Sequence, residues 1–193
     1  AVVGAIDRNS MPQKILPFLK LEKASKCFNA DEVISSTLSE VTFMFPGVLK
    51  KATGENLPAD IEYSPLMQTS SKGNAWTASQ FELMRPDYGE MMRRFRDGDE
   101  PVVIGWQVSG TFKSAFPDGV EVEEEADDND SGETKDPSEK KSRRLEGLTE
   151  AREKVSVVVV ADVDFFSNIA AFRETIFGLG VVGDGGAFIQ NSL

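Results

Sequence analysis

The most regular hydrophobic stretch of the chain is VSVVVV, residues 155–160, in which apolar residues occupy both alternating faces. A strand that is apolar on both faces is typical of a parallel sheet covered by helices on each side. The pattern therefore predicts a buried strand over 155–161 and an α/β fold. Asp162 and Asp164 follow it, at the carboxyl end of the strand, where open α/β sheets bind their ligands.

Weaker hydrophobic patterns predict short elements elsewhere in the chain. The predicted strands lie at 40–45, 61–66 and 102–116. The predicted helices lie within 85–98, at 148–154, after residue 168 and from about Ala187 onward. A glycine-rich turn at 183–186 precedes the last of these helices. The elements together predict one compact α/β unit.

Chain length and termini indicate a single domain taken from a larger protein. With 193 residues, the chain fits one domain, since domains usually contain about 100–200 residues. We therefore predict a single soluble α/β domain over residues 1–193. The sequence begins without Met and stops at AFIQNSL, in what looks like the opening of a helix. We expect it to be part of a longer protein.

The charge of the chain excludes some partners. Its formal net charge is −11, from 32 acidic and 21 basic residues, and this opposes attraction to phosphate backbones or anionic lipid headgroups. We expect no nucleic-acid partner. Much of the excess lies in EVEEEADDNDSGETKD, residues 121–136, which has few apolar side chains to bury. This composition predicts a charged, mobile surface loop over 120–147.

Missing residue types exclude several kinds of chemistry. The chain has no histidine, which removes the imidazole base of Ser/His and Cys/His nucleophilic systems and the commonest transition-metal ligand. Its single cysteine, Cys27, permits no disulfide within the chain and no cysteine-based zinc site. We expect neither a metal nor a cofactor.

Asp162 and Asp164 leave two interpretations open. They resemble the DxD of haloacid-dehalogenase phosphatases, in which one carboxylate attacks phosphorus and both help to hold magnesium. This would make the protein a magnesium-dependent phosphotransferase with Asp162 as nucleophile. Phe166, however, stands where that motif has a small hydroxyl or β-branched residue. In the alternative, architectural interpretation, Asp162 accepts hydrogen bonds from loop amides, and Asp164 or Ser167 caps the next turn.

Trp76 and Trp106 are candidates for ligand stacking. Tryptophans in or beside strands more often pack in the core or at its rim, however. The glycines of GLGVVGDGGAF, residues 178–188, lack both the lysine of a phosphate-binding loop and the spacing of a dinucleotide fingerprint. The sequence shows no nucleophile, base and stabiliser that converge on one point. This favours a binding function over catalysis.

Several stretches, taken in chain order, resemble one family. They are YSPLMQTSSKGNAW (63–76), VVIGWQVSGTFKSAFPDG (102–119), VSVVVVADVDFFSN (155–168) and GDGGAFIQNSL (183–193). In this order they resemble the auxiliary component of the uncharacterised ABC-type transport systems that include the gliding-motility auxiliary protein. A charged variable insert separates the second and third stretches in that family too. The resemblance covers most of residues 29–193.

The resemblance implies a fold, a location and partners. The fold is part of a Rossmann-like or flavodoxin-like three-layer domain with a mainly parallel sheet, similar to a domain of intraflagellar-transport proteins. The protein would be a non-catalytic module on the extracytoplasmic, periplasmic side of the bacterial inner membrane, held by anchors outside this sequence. Its partners would be the permease and ATPase subunits of the transporter. The candidate contact residues are Asp162, Asp164, Ser70, Trp76 and Trp106.

Overall fold

The computed structural model of the chain describes residues 2–4, 13–54, 58–123, 142–167, 172–175, 178–181 and 183–193. Its strands are β1 Val2–Gly4, β2 Gln13–Ile15, β3 Phe18–Glu22, β4 Glu40–Met44, β5 Glu62–Gln68, β6 Val103–Gly110, β7 Val120–Glu123, β8 Ser142–Leu145, β9 Val155–Val160, β10 Phe172–Thr175 and β11 Gly178–Val181. Its α-helices are α1 Val33–Ser36, α2 Gln80–Met84, α3 Tyr88–Arg94 and α4 Gly185–Asn191. Short 3-10 turns lie at Lys23–Ser25 and Asp164–Phe166.

Antiparallel pairs make up most of the β-structure. The pairs β1–β2, β3–β4, β7–β8 and β10–β11 are all antiparallel. In β3–β4 the register runs from Phe18 opposite Met44 to Glu22 opposite Glu40. Such pairs need only short connections, which suits the short helices of the described residues.

The remaining sheet has the strand order β5–β6–β9, and it is antiparallel as well. The N–H of Ala161 donates to the C=O of Ile104 (2.9 Å), while the hydroxyls of Ser109 and Ser156 lie 2.8 Å apart. Residue numbers rise along β6 as they fall along β9, so the two strands run in opposite directions.

The direction of β5 follows from similar contacts. The N–H of Thr69 donates to the C=O of Val102 (2.9 Å), and the N–H of Thr111 donates to the carboxylate of Asp60 (2.7 Å). The late part of β5 thus pairs with the early part of β6, and the two strands are antiparallel.

The prediction of a Rossmann-like or flavodoxin-like three-layer domain with a mainly parallel sheet is therefore wrong. Parallel neighbours need a crossover of about a dozen residues or more, usually a helix that then covers the sheet. Helices α1 to α4 contain only 4, 5, 7 and 7 residues, too few for covering layers of that kind. The fold is mixed α/β with mostly antiparallel sheets.

β9 is a strand, as predicted, but it is not buried. Val155, Val157 and Val159 are 43%, 45% and 40% exposed, whereas Val158 and Val160 pack against the core. β9 also lies at the end of the strand order, at an edge of its sheet. The expectation of a central strand is wrong because valine at five of the six positions hides the alternation of buried and exposed faces.

Of the other predicted strands and helices, some are confirmed and some are wrong. The strands β4, β5 and β6 and the helix α3 are confirmed. Helix α4 begins at Gly185, two residues before the predicted start at Ala187. The helix predicted at 148–154 is wrong, since this segment contributes an isolated bridge at Glu150 and no helix. The helix predicted after 168 is also wrong where the chain is described, because β10 and β11 form a hairpin there.

Contacts group the chain into two compact units. The larger comprises residues 1–54, 63–108 and 157–193, and the smaller comprises 55–62 and 109–156. In the larger unit, buried side chains from β3, β4, β5 and β6 meet those of the 3-10 turn after β9 and of α4. With Cys27 and Leu38 from the connecting segments, the core consists of Leu21, Cys27, Leu38, Val41, Phe43, Leu66, Met67, Ile104, Phe165 and Phe188. The predicted single-domain organisation stays a prediction.

The smaller unit contains the β7–β8 pair. Gly119 adopts a left-handed φ of +84° there, and a side chain on Gly119 would collide with the carbonyl of Leu145, so the approach of these two segments requires glycine. The ion pair between Lys154 and Glu62 also lies in this unit. Of the charged loop predicted over 120–147, residues 124–141 lie outside the described residues.

Candidate functional site

Asp162 joins the end of β9 to the end of β4. Its Oδ2 accepts the N–H of Met44 (2.9 Å), and its Oδ1 accepts the N–H of Asp164 (2.6 Å). Both carboxylate oxygens therefore serve backbone donors at the point where the chain leaves the strand. This geometry agrees with the architectural interpretation of Asp162.

Burial changes the acidity of this carboxyl group. Burial raises the pKa of Asp162 above its usual value, and the nearby charge of Asp164 acts in the same direction. The backbone N–H groups that donate to the carboxylate lower the pKa, but burial is the largest cause. Asp162 is thus a half-buried acid that is held by amides.

An aromatic cluster follows the aspartate. The side chain of Phe165 is only 3% exposed. Its ring lies 5.3 Å from that of Phe43, 5.8 Å from that of Phe188 and 5.2 Å from that of Phe166, measured between centroids. Such tilted and edge-to-face contacts add to the burial energy of the rings. The cluster packs the 3-10 turn and α4 against β4.

Asp184 fastens the other side of α4. Its carboxylate accepts the N–H groups of Ser39 (2.5 Å) and Glu40 (3.1 Å), and its own N–H donates to the C=O of Glu40 (2.6 Å). Gly183 precedes it with a left-handed φ of +72°, a conformation that favours glycine. These contacts therefore fix the start of helix α4 beside the start of β4.

An open groove lies between β9, the 3-10 turn and α4, and we call it the β9–α4 groove. Its volume is about 320 Å³. It is lined mainly by apolar side chains, among them Val158, Val160, Val163, Phe166, Phe188 and Ile189, with the carboxylate of Asp162 among them. Val163, Phe166 and Ile189 are 73%, 52% and 37% exposed.

The groove can bind apolar groups more readily than it can perform chemistry. The oxygens of its carboxylate already accept backbone hydrogen bonds. Within the described ranges, no group of three or more Cys, Asp or Glu residues is placed to hold a metal ion. Contiguous exposed apolar side chains are typical of surfaces that bind a partner.

Comparison with known proteins assigns the family. Residues 5–191 match the family described as an ABC-type uncharacterized transport system, which groups auxiliary components of such systems. The chain belongs to this family. No curated protein and no solved structure matches it.

Family membership gives the protein a general function and a general class of partner. The protein is an auxiliary component of an ABC-type transport system, and such a component works with the other parts of a transporter. In the part of the chain that the structure describes, every helix is too short or too polar to cross a bilayer. The resemblance to the gliding-motility auxiliary protein and to intraflagellar-transport proteins stays a prediction.

Two further candidates, Ser70 and Trp76, lie on the loop that connects β5 to α2. Both residues are exposed. The C=O of Ser70 accepts the N–H of Gly73 (2.9 Å), and the side chain of Asn74 donates to the C=O of Arg96 (3.1 Å). The loop is therefore held by its own turn and by the segment after α3, on elements other than those that form the β9–α4 groove.

The last candidate, Trp106, points into the protein from β6. It is 8% exposed, and its indole N–H donates to the C=O of Leu49 (3.4 Å). Its ring meets that of Tyr63 edge-on at 5.9 Å, and the ammonium group of Lys51 lies 5.4 Å from its centroid. These contacts place Trp106 in packing, the more frequent outcome for a tryptophan in a strand.

The sequence interpretation missed the apolar residues of the groove. Phe166 was noted only as a departure from a phosphatase motif, and Ile189 was not considered. A signal was present, because two adjacent phenylalanines directly after a strand can bury one ring and expose the other. For Asp184 there was no local signal, since its partners Ser39 and Glu40 lie about 145 residues away in the chain.

Proposed function

We propose that the protein is a non-catalytic, extracytoplasmic module of its ABC-type transport system and that it binds the permease subunit through the β9–α4 groove. The family match over residues 5–191 supports the transport context. The exposed apolar lining of the groove supports the choice of surface, and it is the observation on which the proposal depends. The ATPase subunit joins the complex through the permease.

Exposure of specific side chains supports binding through the groove. Val163 and Phe166 leave 73% and 52% of their surface in solvent. Both residues come shortly after β9, and residues near them in the chain pack in the core. Transfer of such side chains out of water is favourable by roughly 25 cal/mol per Å² of apolar surface. A partner that covers them gains this free energy without unfolding any part of the groove.

The state of Asp162 supports a non-catalytic function. A nucleophilic carboxylate has to present a free oxygen to its substrate, whereas both oxygens of Asp162 accept amide protons. A direct test is the turnover of a generic aryl phosphate with and without magnesium. We expect no magnesium-dependent turnover, and turnover that is lost in Asp162→Asn would contradict the proposal.

Binding through the groove is tested with a matched pair of valines. Val163 lines the groove, and Val33 on α1 does not; they are 73% and 81% exposed. The full-length protein is purified from membranes in mild detergent with its transporter subunits. We expect Val163→Asp to lower the recovered permease by about tenfold or more, as for loss of a central interface residue, and Val33→Asp to leave it unchanged.

Equal recovery with both variants would show that the groove is not the binding surface. Failure of the wild-type protein to recover any transporter subunit would overturn the proposed function as a whole. The proposed location has a separate test, in which protease is added to spheroplasts that contain the full-length protein. Digestion without lysis is expected, and protection until lysis would place the module on the other side of the membrane.

A further inference from the structure

β9 has a backbone edge that no other described strand occupies. It is the last strand in the order β5–β6–β9, so it has a neighbour on one side only. The N–H of Ala161, directly after β9, donates to the C=O of Ile104 in β6. Successive residues of a strand direct their backbone groups to opposite sides. The backbone N–H and C=O groups of Val157 and Val159 therefore point toward β6. Those of Val158 and Val160 point away from β6.

No described residue pairs with these outward groups. Within the described residues, neither Val158 nor Val160 exchanges a backbone hydrogen bond on the side away from β6. Unpaired N–H and C=O groups along a strand form a template for another strand. Natural edges usually carry a charge, a proline or a bulge that prevents such pairing, but residues 155–161 contain no charged residue and no proline.

The position of this edge links it to the β9–α4 groove. The side chains of Val158 and Val160 line the groove, so one strand supplies both its apolar lining and its unpaired backbone. Extended peptides that add to a sheet edge gain affinity from main-chain hydrogen bonds and specificity from pockets that take alternate side chains. β9 and the groove together offer both features.

We infer that β9 accepts an extended, uncharged segment of the permease as an added strand, with alternate apolar side chains of that segment in the β9–α4 groove. This inference rests on the proposed function and names the conformation of the partner. The net charge of −11 disfavours a second copy of the chain as the occupant, because two acidic molecules repel each other.

The test separates the backbone of Val158 from its side chain. Val158→Pro removes the outward N–H and leaves the β6 side of the strand intact, since proline is tolerated in edge strands whose N–H faces solvent. Val158→Ala keeps the N–H and shortens the side chain, so it measures the side-chain contribution alone. We expect the full-length Val158→Pro protein to bind the purified permease about tenfold or more weakly than Val158→Ala does, and equal binding by the two variants would overturn strand addition.

Amide hydrogen exchange in the unaltered protein supplies a second measurement that does not depend on the folding of a variant. Addition of the permease is expected to slow exchange at Val158 and Val160 by about tenfold or more. Exchange at Val157 and Val159, which already face β6, serves as the control and should change little.

The outcomes distinguish the inference from the proposed function. If Val158→Pro binds normally and Val163→Asp does not, strand addition is wrong and binding through the groove stands. If the wild-type protein binds no permease, the proposed function itself fails. If exchange at Val158 slows when the protein alone is concentrated, a second copy occupies the edge and the assignment to the permease is overturned.

Discussion

Asp162 shows how one side chain can serve two neighbouring segments. The two carboxylate oxygens of Asp162 accept the N–H groups of Met44 and Asp164. Asparagine in its place has only one acceptor oxygen for these two donors. A fully buried donor without a partner costs about 1–3 kcal/mol, and because the Met44 N–H is only partly buried, its loss of an acceptor is expected to cost about 1 kcal/mol. We expect Asp162→Asn to lower the free energy of unfolding by this amount in urea titrations. An unchanged transition midpoint would show that the anchoring role of Asp162 is wrong.

The difference in stability between wild type and Asp162→Asn should also depend on pH. The pKa of Asp162 is raised in the folded protein from its ordinary 3.8, so the folded state holds this proton more tightly than the unfolded state does. Its contribution to stability is therefore full below about pH 4 and is lost as the pH rises through the raised pKa. The advantage of wild type over Asp162→Asn should be larger at about pH 4 than at about pH 7. The opposite trend would contradict the direction of the shift.

Glu82 on α2 titrates in the opposite direction. Hydrogen bonds from the Ser79 backbone and from Arg94 lower its pKa to about 2. The stability that this carboxylate provides is thus present above its ordinary pKa of 4.5 and is lost as the pH falls toward about 2. In a carboxyl-carbon NMR titration, Arg94→Gln should raise the pKa of Glu82 part of the way toward 4.5. The neighbouring Arg93 pairs with Glu90 instead, so Arg93→Gln is the control and should leave it unchanged.

Local chemistry explains which residue roles were predictable. An aspartate directly after a strand often accepts amides of the next turn, and the contact from Asp164 to Asp162 is of this kind. The N–H of Met44 lies 118 residues away in sequence, and no local pattern could indicate it. The role of Asp184 was not predictable for the same reason, because the residues whose N–H groups it accepts are far from it in sequence.

At the scale of elements, the exposure of β9 is open to measurement. Val159 is 40% exposed in β9, whereas Val41 in β4 is 1% exposed. Val→Thr is nearly isosteric but adds a hydroxyl, which costs about 1–3 kcal/mol when buried without a partner. Urea titration should give a loss of that size for Val41→Thr and a change within about 0.5 kcal/mol for Val159→Thr. Equal losses would mean that β9 is buried as the sequence predicted.

Element positions were more predictable than element environments. β4 alternates between buried and half-buried residues, so its period of two was visible. β5 and β6 bury consecutive residues and do not alternate, so their positions followed from apolar stretches between turn residues. In β9 valine occupies five of six positions, and composition alone cannot say which face meets the core. Strand direction was not predictable either. Parallel strands need long crossover helices, and only the structure shows that the described helices α1 to α4 are short.

For the whole molecule, the core of the larger unit sets the stability. Phe43 is fully buried and contacts Phe165, whereas Phe81 on α2 is 70% exposed. Phe43→Ala should cost about 3–5 kcal/mol, a large share of the roughly 5–15 kcal/mol that stabilises a typical domain. Phe81→Ala should stay within about 0.5 kcal/mol. Thermal and urea unfolding measure both, and similar values for the two variants would contradict the placement of the core.

At this largest scale the sequence predicted membership of a family better than it predicted architecture. The order of four stretches from 63–76 to 183–193 was specific enough to indicate the transport family, and the match over 5–191 confirms it. The parallel sheet was a conclusion from one strand and from the resemblance. Antiparallel pairing depends on contacts such as Ala161 with Ile104, which join residues far apart in the chain.

The segment VSVVVV also has a consequence for the protein before it meets a partner. Six-residue stretches of high β-propensity, without charge or proline, are the sequences that stack into cross-β fibrils, and β9 presents such a stretch at the surface. Lys154 and Asp162 are the nearest charges on either side, and flanking charges of this kind slow fibril growth. Aggregation of the partly unfolded chain is therefore expected to begin at this segment.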